Sequence, residues 1–153
     1  MSEPTVEIGL GTPAEMDAVR ALLEEAGLPT SGVHALIHTL LVARVGPQVV
    51  GCAAIEPCAP CALLRSVAVT KEVRGLGLGL RLTEAALELA RTRGMERVYL
   101  LTETADEFFS RVGFVVVRRE AVDSAVRESE EFARLCPGTA KVMMLELTVH
   151  RLR

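Results

Sequence analysis

The stretch VAVTKEVRGLGLGLRL, residues 67–82, sets three glycines within five positions between an apolar run and a helix-like segment. Glycine at a helix mouth costs conformational freedom, so bare backbone here must serve a purpose. A strand running into Gly-rich backbone and then a helix start is a general anion-binding device, because unpaired N–H groups and the helix dipole converge on one point. Three patterns compete for it. A dinucleotide fingerprint needs G-x-G-x-x-G/A, but counting from Gly75 the last place is Leu80, and from Gly77 it is Leu82. A nucleotide-hydrolase loop needs Gly-Lys-Ser/Thr, which is absent. The third pattern, Arg/Gln-x-x-Gly-x-Gly/Ala directly after a strand, is met at every place by Arg74-Gly75-Leu76-Gly77-Leu78-Gly79.

With 153 residues, half of them apolar and 24% charged, the chain suits a single globular domain spanning 1–153. A net charge of -3 with no Trp and one Tyr argues against nucleic acid or an acidic membrane surface as partner. The opening MSEPTVEIGL has neither a basic start nor an apolar core, and VHALIHTLLVARV is too short to span a bilayer. A soluble cytoplasmic protein with reduced thiols is expected, and the few aromatics among many apolar residues suit a homodimer. Cys52 lies in a strand-like run and reads as core. Cys58 and Cys61 form one CxxC in PCAPC, with no second pair to complete a zinc site. His34 and His38 are four apart, which on a helix would align two ligands, but no third is in view; no metal is expected.

Periodicity orders the elements. Residues 5–10 alternate as a strand, and TPAEMDAVRALLEEAG opens a helix with Thr12 as N-cap, Pro13 next and Glu15 closing a capping box. LPTSGVHALIH reads as a loop and short helix, followed by strands TLLVARV and QVVGCAAIE about the turn Gly46-Pro47. ALLRSVAV (62–69) follows through PCAPC, so three antiparallel neighbours are expected. LRLTEAALELARTRG is a strong amphipathic helix and RVYLLT (97–102) a strand, so the crossover makes 97–102 parallel to 62–69. ADEFFSRVG (105–113) reads as a short helix, FVVVRR as a strand, 121–135 as helical or irregular, and 139–147 as the last strand. The fold class is therefore α+β, a mixed and mostly antiparallel sheet with one parallel crossover and flanking helices.

The loop in this setting resembles the GNAT superfamily of N-acetyltransferases. LLRSVAV is similar to that family's fourth strand, RVYLLT to its fifth, and ADEFFSRVGF to its A-x-x-x-Y-x-x-x-G-F segment. The resemblance implies acetyl-CoA as cosubstrate and the GNAT fold. It places the pyrophosphate on the amides of Arg74, Gly75, Leu76, Gly77, Leu78 and Gly79. The pantetheine arm falls against the main chain of Val67, Ala68 and Val69, and Phe108 and Arg111 on the cofactor side. A Cβ at the glycines would stand between amide and phosphate. The segments LLRSVAV, VYLLTETADEFFSRVGF and SEEFARLCPGTAKVMM are also similar to small acetyltransferases of arsenic-resistance clusters and to amino-acid N-acetyltransferases of the N-acetylglutamate-synthase type.

Amide formation from a thioester needs a neutral amine, stabilisation of the oxyanion, and a route for the thiol to leave. The family's usual acid, a Tyr four residues before Gly-Phe, is replaced here by Phe109, which reads as core. Thr102, Thr104 and Cys136 are alternative donors, and a thiol with a pKa near 8.5 leaves tolerably as thiolate. Glu103 is the candidate base or holder of a water, with a water chain as the alternative. Arg65 interrupts an apolar strand, and a buried guanidinium needs an anion: either a substrate carboxylate, or Glu56 or Glu103. Ser66, Thr30, Ser31 and Thr104 complete the candidate acceptor contacts. The expected function is acetyl transfer to a primary amine of a small molecule, an amino acid or an analogue that includes arsenical ones. The competing class is a CoA-binding protein without turnover, or a metalloid sensor using Cys58, Cys61 or Cys136.

Overall fold

The computed structural model describes residues 5–127 and 140–147. Its strands are β1 (Glu7–Leu10), β2 (Leu40–Val45), β3 (Gln48–Cys58), β4 (Cys61–Val69), β5 (Arg97–Thr102), β6 (Val115–Val117) and β7 (Lys141–Glu146). The helices are α1 (Met16–Glu25), α2 (Leu78–Thr92), α3 (Asp106–Val112) and α4 (Ser124–Arg127). The strands form one sheet in the order β1-β2-β3-β4-β5-β7-β6. β1–β2, β2–β3, β5–β7 and β6–β7 are antiparallel, whereas β4 and β5 are parallel, with Cys61 opposite Arg97 and Leu63 opposite Tyr99. The single parallel crossover through α2 is the one that periodicity predicts.

The chain divides into two compact units, one built from residues up to Ile55 with Ser66–Ala86, the other from Glu56–Arg65 with the residues from Leu87 onward. In the first, α1 buries Met16, Val19, Leu22 and Leu23 at helical spacing, against Val33, Leu40, Val42, Cys52, Ala54 and Ala68. The start of α1 is set by chemistry visible in the sequence. Thr12 donates its amide to Glu15 Oε1 at 2.9 Å, closing the capping box, and Pro13–Glu15 form a 3-10 turn before the α-helix begins. Arg44, on β2, adds Nη2–H to Glu15 Oε1 at 2.8 Å and so ties the helix start to the sheet.

The second unit packs Cys61, Leu63, Tyr99, Val122, Val126 and Val142 together. Its polar seam is Tyr99, whose hydroxyl donates to Asp123 at 2.6 Å, with Arg97 on Asp123 at 3.2 Å and on Glu146 at 3.3 Å.

Three expected boundaries move. The crossover helix begins at Leu78 rather than Leu80, so Gly79 lies inside its first turn. The strand expected over 114–119 shrinks to Val115–Val117, because the Phe114 amide is spent on the Phe109 carbonyl at the end of α3, at 3.0 Å, and Arg118 caps a 3-10 turn over Arg119–Ala121. Of the segment 121–135, the described part is a 3-10 turn ending at Ala121 and the four-residue α4; the remainder, with Cys136, lies outside the described residues.

Candidate functional site

In the first unit, β4 ends at Val69, and the Thr70 amide donates to the Val50 carbonyl at 2.9 Å, fixing where the strand stops. A 3-10 turn over Lys71–Val73 follows, with Val73 buried as its anchor. Gly75 and Gly77 then adopt φ +89° and +75°, left-handed backbone that an L side chain reaches only with strain. A Cβ built on either glycine would meet nothing within 4 Å, so both bare backbones border open space. The first intrahelical bond of α2 is Arg81 N–H to the Gly77 carbonyl at 3.1 Å. The amides of Leu78, Gly79 and Leu80 therefore precede the ladder and have no intrahelical acceptor. Buried Thr83 donates to the Gly79 carbonyl at 2.8 Å, and Leu78 and Leu82 are buried, so the first turn is anchored from below. Leu76 and Leu80 stay 53% and 40% exposed, on the open side of the loop. Left-handed glycines, free first-turn amides and open space make a cradle that fits a pyrophosphate.

β4 itself is irregular where it enters this unit. Ser66 has φ +62°, the only non-glycine with positive φ among the described residues, and is 8% exposed. Such a kink within a strand is the mark of a bulge and re-aims the neighbouring peptide groups. Its hydroxyl is buried without a hydrogen-bond partner among the described residues. The Ser66 carbonyl accepts the Cys52 thiol proton at 3.1 Å. Beside Cys52, Gly51 has room for nothing more: a Cβ there would lie 2.8 Å from Leu82 Cδ1 and 3.2 Å from the Ala68 carbonyl oxygen. Of the acceptor candidates in this unit, Thr30 is half-buried and Ser31 exposed, ahead of the 3-10 turn Val33–Thr39. That turn is not an α-helix and is kinked at Leu36, so His34 and His38 do not share the face that a four-residue spacing implies. His34 instead meets Arg20 Nη2 at 3.0 Å through Nδ1.

In the second unit, Arg65 has a side chain 2% exposed and donates to Glu56 Oε1 at 3.0 Å, one of the two protein partners expected for it. Thr102 Oγ1 accepts the Ala105 amide at 2.9 Å and shapes the turn from β5 into α3, leaving its own proton available. Glu103 and Thr104 are exposed in that bend. Phe109 is 8% exposed and packs edge-on against Phe108 at 5.0 Å and Phe114 at 5.7 Å, so it is a core residue. Phe108 is half-buried and Arg111 exposed. Burial pushes the Cys58 thiol up to about 11 and the Cys61 thiol up to about 12. Among the described residues, no group of three His, Cys, Asp or Glu side chains is placed to hold a metal ion, and no helix is long and apolar enough to cross a membrane.

The candidates thus fall in two groups, Thr30, Ser31, Ser66–Val69 and Arg74–Gly79 in one unit, Arg65, Thr102–Thr104, Phe108 and Arg111 in the other. Gly51 on β3 escapes the sequence reading, which takes its neighbour Cys52 only as core. A glycine inside a strand is the one signal that marks this stretch, since it often betrays close backbone approach.

A kinked strand, a loop of left-handed glycines and a helix with open first-turn amides follow one another from β4 into α2. Residues 13–114 match the acetyltransferase (GNAT) family, and the chain belongs to that family, whose acetyl donor is acetyl-CoA. N-alpha-acetyltransferase 30 of Schizosaccharomyces pombe is 37% identical over 57 residues, covering 35% of this chain and 38% of that protein. An uncharacterized N-acetyltransferase of Chlorobaculum tepidum is 35% identical over 85 residues, 55% of this chain and 54% of the relative. The chain thus matches about half or less of the length of these relatives. Among solved structures, the N-acetylglutamate synthase of Neisseria gonorrhoeae, complexed with coenzyme A and N-acetyl-glutamate, superimposes with a TM-score of 0.81 at 22% identity, over 98% of this chain and 36% of that one. Rv2747 of Mycobacterium tuberculosis, in complex with CoA, gives 0.77 at 23% identity over 93% and 99%. At these identities the likeness is one of fold.

Proposed function

We propose that this chain is a cytoplasmic N-acetyltransferase that moves acetyl from acetyl-CoA to the primary amine of an amino acid or a close analogue, arsenical analogues included. The observation that carries the donor half is the run from the Ser66 bulge to the first turn of α2. The pyrophosphate sits on the amides of Arg74–Gly79, and the pantetheine arm lies along Val67–Val69. Since the Ser66 carbonyl points at Cys52, the Val67 N–H points the other way across the trans peptide plane. The Val67 amide then faces the thioester carbonyl and holds the negative charge that develops there, a contact usually worth several kcal/mol in the transition state, about 3.

Acetyl-CoA supplies an activated acyl group; the chain supplies placement and proton traffic. Glu103, exposed beside β5, takes the ammonium proton directly or through water. The amine nitrogen forms the new C–N bond, the C–S bond breaks, and the sulfur leaves as thiolate or with a proton from Thr102, whose hydroxyl oxygen is already held by Ala105. Arg65 is paired with Glu56, and Thr30, Ser31 and Thr104 are the polar contacts assigned to the acceptor on this reading. The acceptor class is supported by the N-acetylated amino acid bound in the gonococcal synthase. A thiol sensor is disfavoured, because thiols raised to about 11 and 12 hold little thiolate at neutral pH.

The test is a panel of free amino acids, arsenical amino acids and short peptides with free N-termini, each incubated with acetyl-CoA while CoA thiol release is followed. Release with amino acids or their analogues is expected. Release with peptides alone would move the acceptor to protein N-termini, and release with none would sink the enzyme reading.

A further inference from the structure

Ser66 precedes Val67 on β4 and directs its carbonyl at a side chain on the neighbouring strand: the Cys52 thiol donates to the Ser66 carbonyl at 3.1 Å. Cys52 is 0% exposed and Ser66 8%, so water does not compete for that bond. A sulfur suits this position because backbone kinked at Ser66 departs from regular strand geometry, and the long C–S bond lets a β3 side chain reach its carbonyl. A regular ladder would bond main chain to main chain and leave no need for a side chain.

The clamp bears on a backbone that would not hold itself. Serine at φ +62° is strained, and its hydroxyl finds no partner among the described residues, so the local contacts of Ser66 do not explain the conformation. Relaxing Ser66 to an ordinary strand conformation would turn the Ser66–Val67 peptide over, taking the carbonyl off Cys52 and the Val67 amide off its present heading. From this we infer that Cys52 is a positioning residue of the acetyl-transfer site, its thiol clamping the Ser66 bulge so that the Val67 N–H is aimed at the thioester carbonyl. The inference rests on the donor-site reading above and adds to it a residue on another strand that touches neither substrate.

The experiment compares wild type with Cys52→Ala, which removes the clamp, and Cys52→Ser, which keeps a donor and acceptor on a shorter bond. Binding of acetyl-CoA and of CoA, which lacks the carbonyl, is measured by calorimetry. The carbonyl stretch of bound isotope-labelled acetyl-CoA is read by infrared difference spectroscopy. Cys52→Ala is expected to weaken acetyl-CoA by about three- to tenfold, the value of one buried hydrogen bond, while CoA changes less. Its carbonyl band should move toward the free-solution position, with Cys52→Ser in between. A folded Cys52→Ala with wild-type band and wild-type preference for acetyl-CoA over CoA overturns the inference. If Cys52→Ala does not fold, Cys52→Ser against wild type decides, and an unmoved band overturns it likewise. Wild type binding neither acetyl-CoA nor CoA would instead bring down the donor-site reading itself, so the two failures are told apart.

Discussion

Gly51→Ala puts a methyl group where β4 and the first turns of α2 converge on β3. The new Cβ would stand 2.8 Å from Leu82 Cδ1 and 3.2 Å from the Ala68 carbonyl oxygen. The first contact is closer than real Cβ atoms come, and Leu82 is 0% exposed, so its side chain has no open direction in which to swing. The second is with main chain of the segment proposed to pair with pantetheine. Overpacking of this size costs about 1–3 kcal/mol, offset by about 0.5–1 kcal/mol from the reduced freedom of the unfolded chain. The net loss of about 0.5–2 kcal/mol corresponds to a fall in Tm of about 1–8 °C for a chain of this length. Thermal melts with and without saturating CoA give the stability term, and calorimetry gives the affinity. If strain reaches the site, CoA binding weakens as well, since either α2 or β4 must move. Leu82→Val deletes the clashing Cδ1 at a cost of about 1 kcal/mol. In the double variant Gly51→Ala/Leu82→Val, the two losses should then fall short of adding by about 0.5 kcal/mol or more. Strictly additive losses, or a Gly51→Ala protein with unchanged Tm and CoA affinity, would refute the close-packing argument.

Gly77→Asp sets a carboxylate and a strained left-handed φ in the cradle, so CoA binding should vanish from calorimetry while circular dichroism stays native; unchanged affinity would remove the loop from the site. The Arg44 guanidinium holds the Glu15 carboxyl at about 2, down from 4.5. A depressed carboxylate contributes its stability above the unfolded value and loses it as pH falls from about 4.5 toward 2. The full shift would be worth about 3 kcal/mol, and partial solvent exposure of the pair lowers that to about 1–2 kcal/mol. Glu15→Gln should therefore flatten the acid side of a stability–pH curve, and a curve parallel to wild type would contradict the pairing. Phe109→Tyr keeps the ring but adds a hydroxyl to a site packed edge-on between Phe108 and Phe114, so a loss of about 1–3 kcal/mol is expected in melts. A gain in acetyl-transfer rate would show that the hydroxyl reaches the departing sulfur.

What could be read from residue order and what could not separate along physical lines. The glycine loop was legible because its constraint is local: left-handed φ and open amides leave their mark in residue type at fixed spacing. The capping box of Thr12 and Glu15 was legible for the same reason, while Arg44, the partner 29 residues away, was not. The spacing of His34 and His38 would align their side chains only on an α-helix, and the backbone there is a kinked 3-10 turn. The bulge at Ser66 was hidden altogether. LLRSVAV reads as an apolar strand interrupted at Arg65, with no turn residue to mark a kink at Ser66, whose carbonyl accepts from a sulfur on the next strand.

The two surprises of the site, a phenylalanine in the usual acid slot and a strained serine on β4, make sense together on the proposed reading. A departing thiolate is only weakly basic, with a pKa near 8.5, so its expulsion gains little from a placed acid at neutral pH. The oxyanion formed on the carbonyl is far more basic, and fixed dipoles aimed at it lower the barrier most. A chain that turns Phe109 into core therefore gives up the less valuable of the two stabilising contacts. It keeps the costlier feature, a serine held at φ +62° by a buried thiol, at the carbonyl end where a misaimed amide would be felt in full. Relief of that strain by Ser66→Gly should then raise stability and lower the acetyl-transfer rate together, because the same freedom that relaxes the backbone lets the Val67 amide wander.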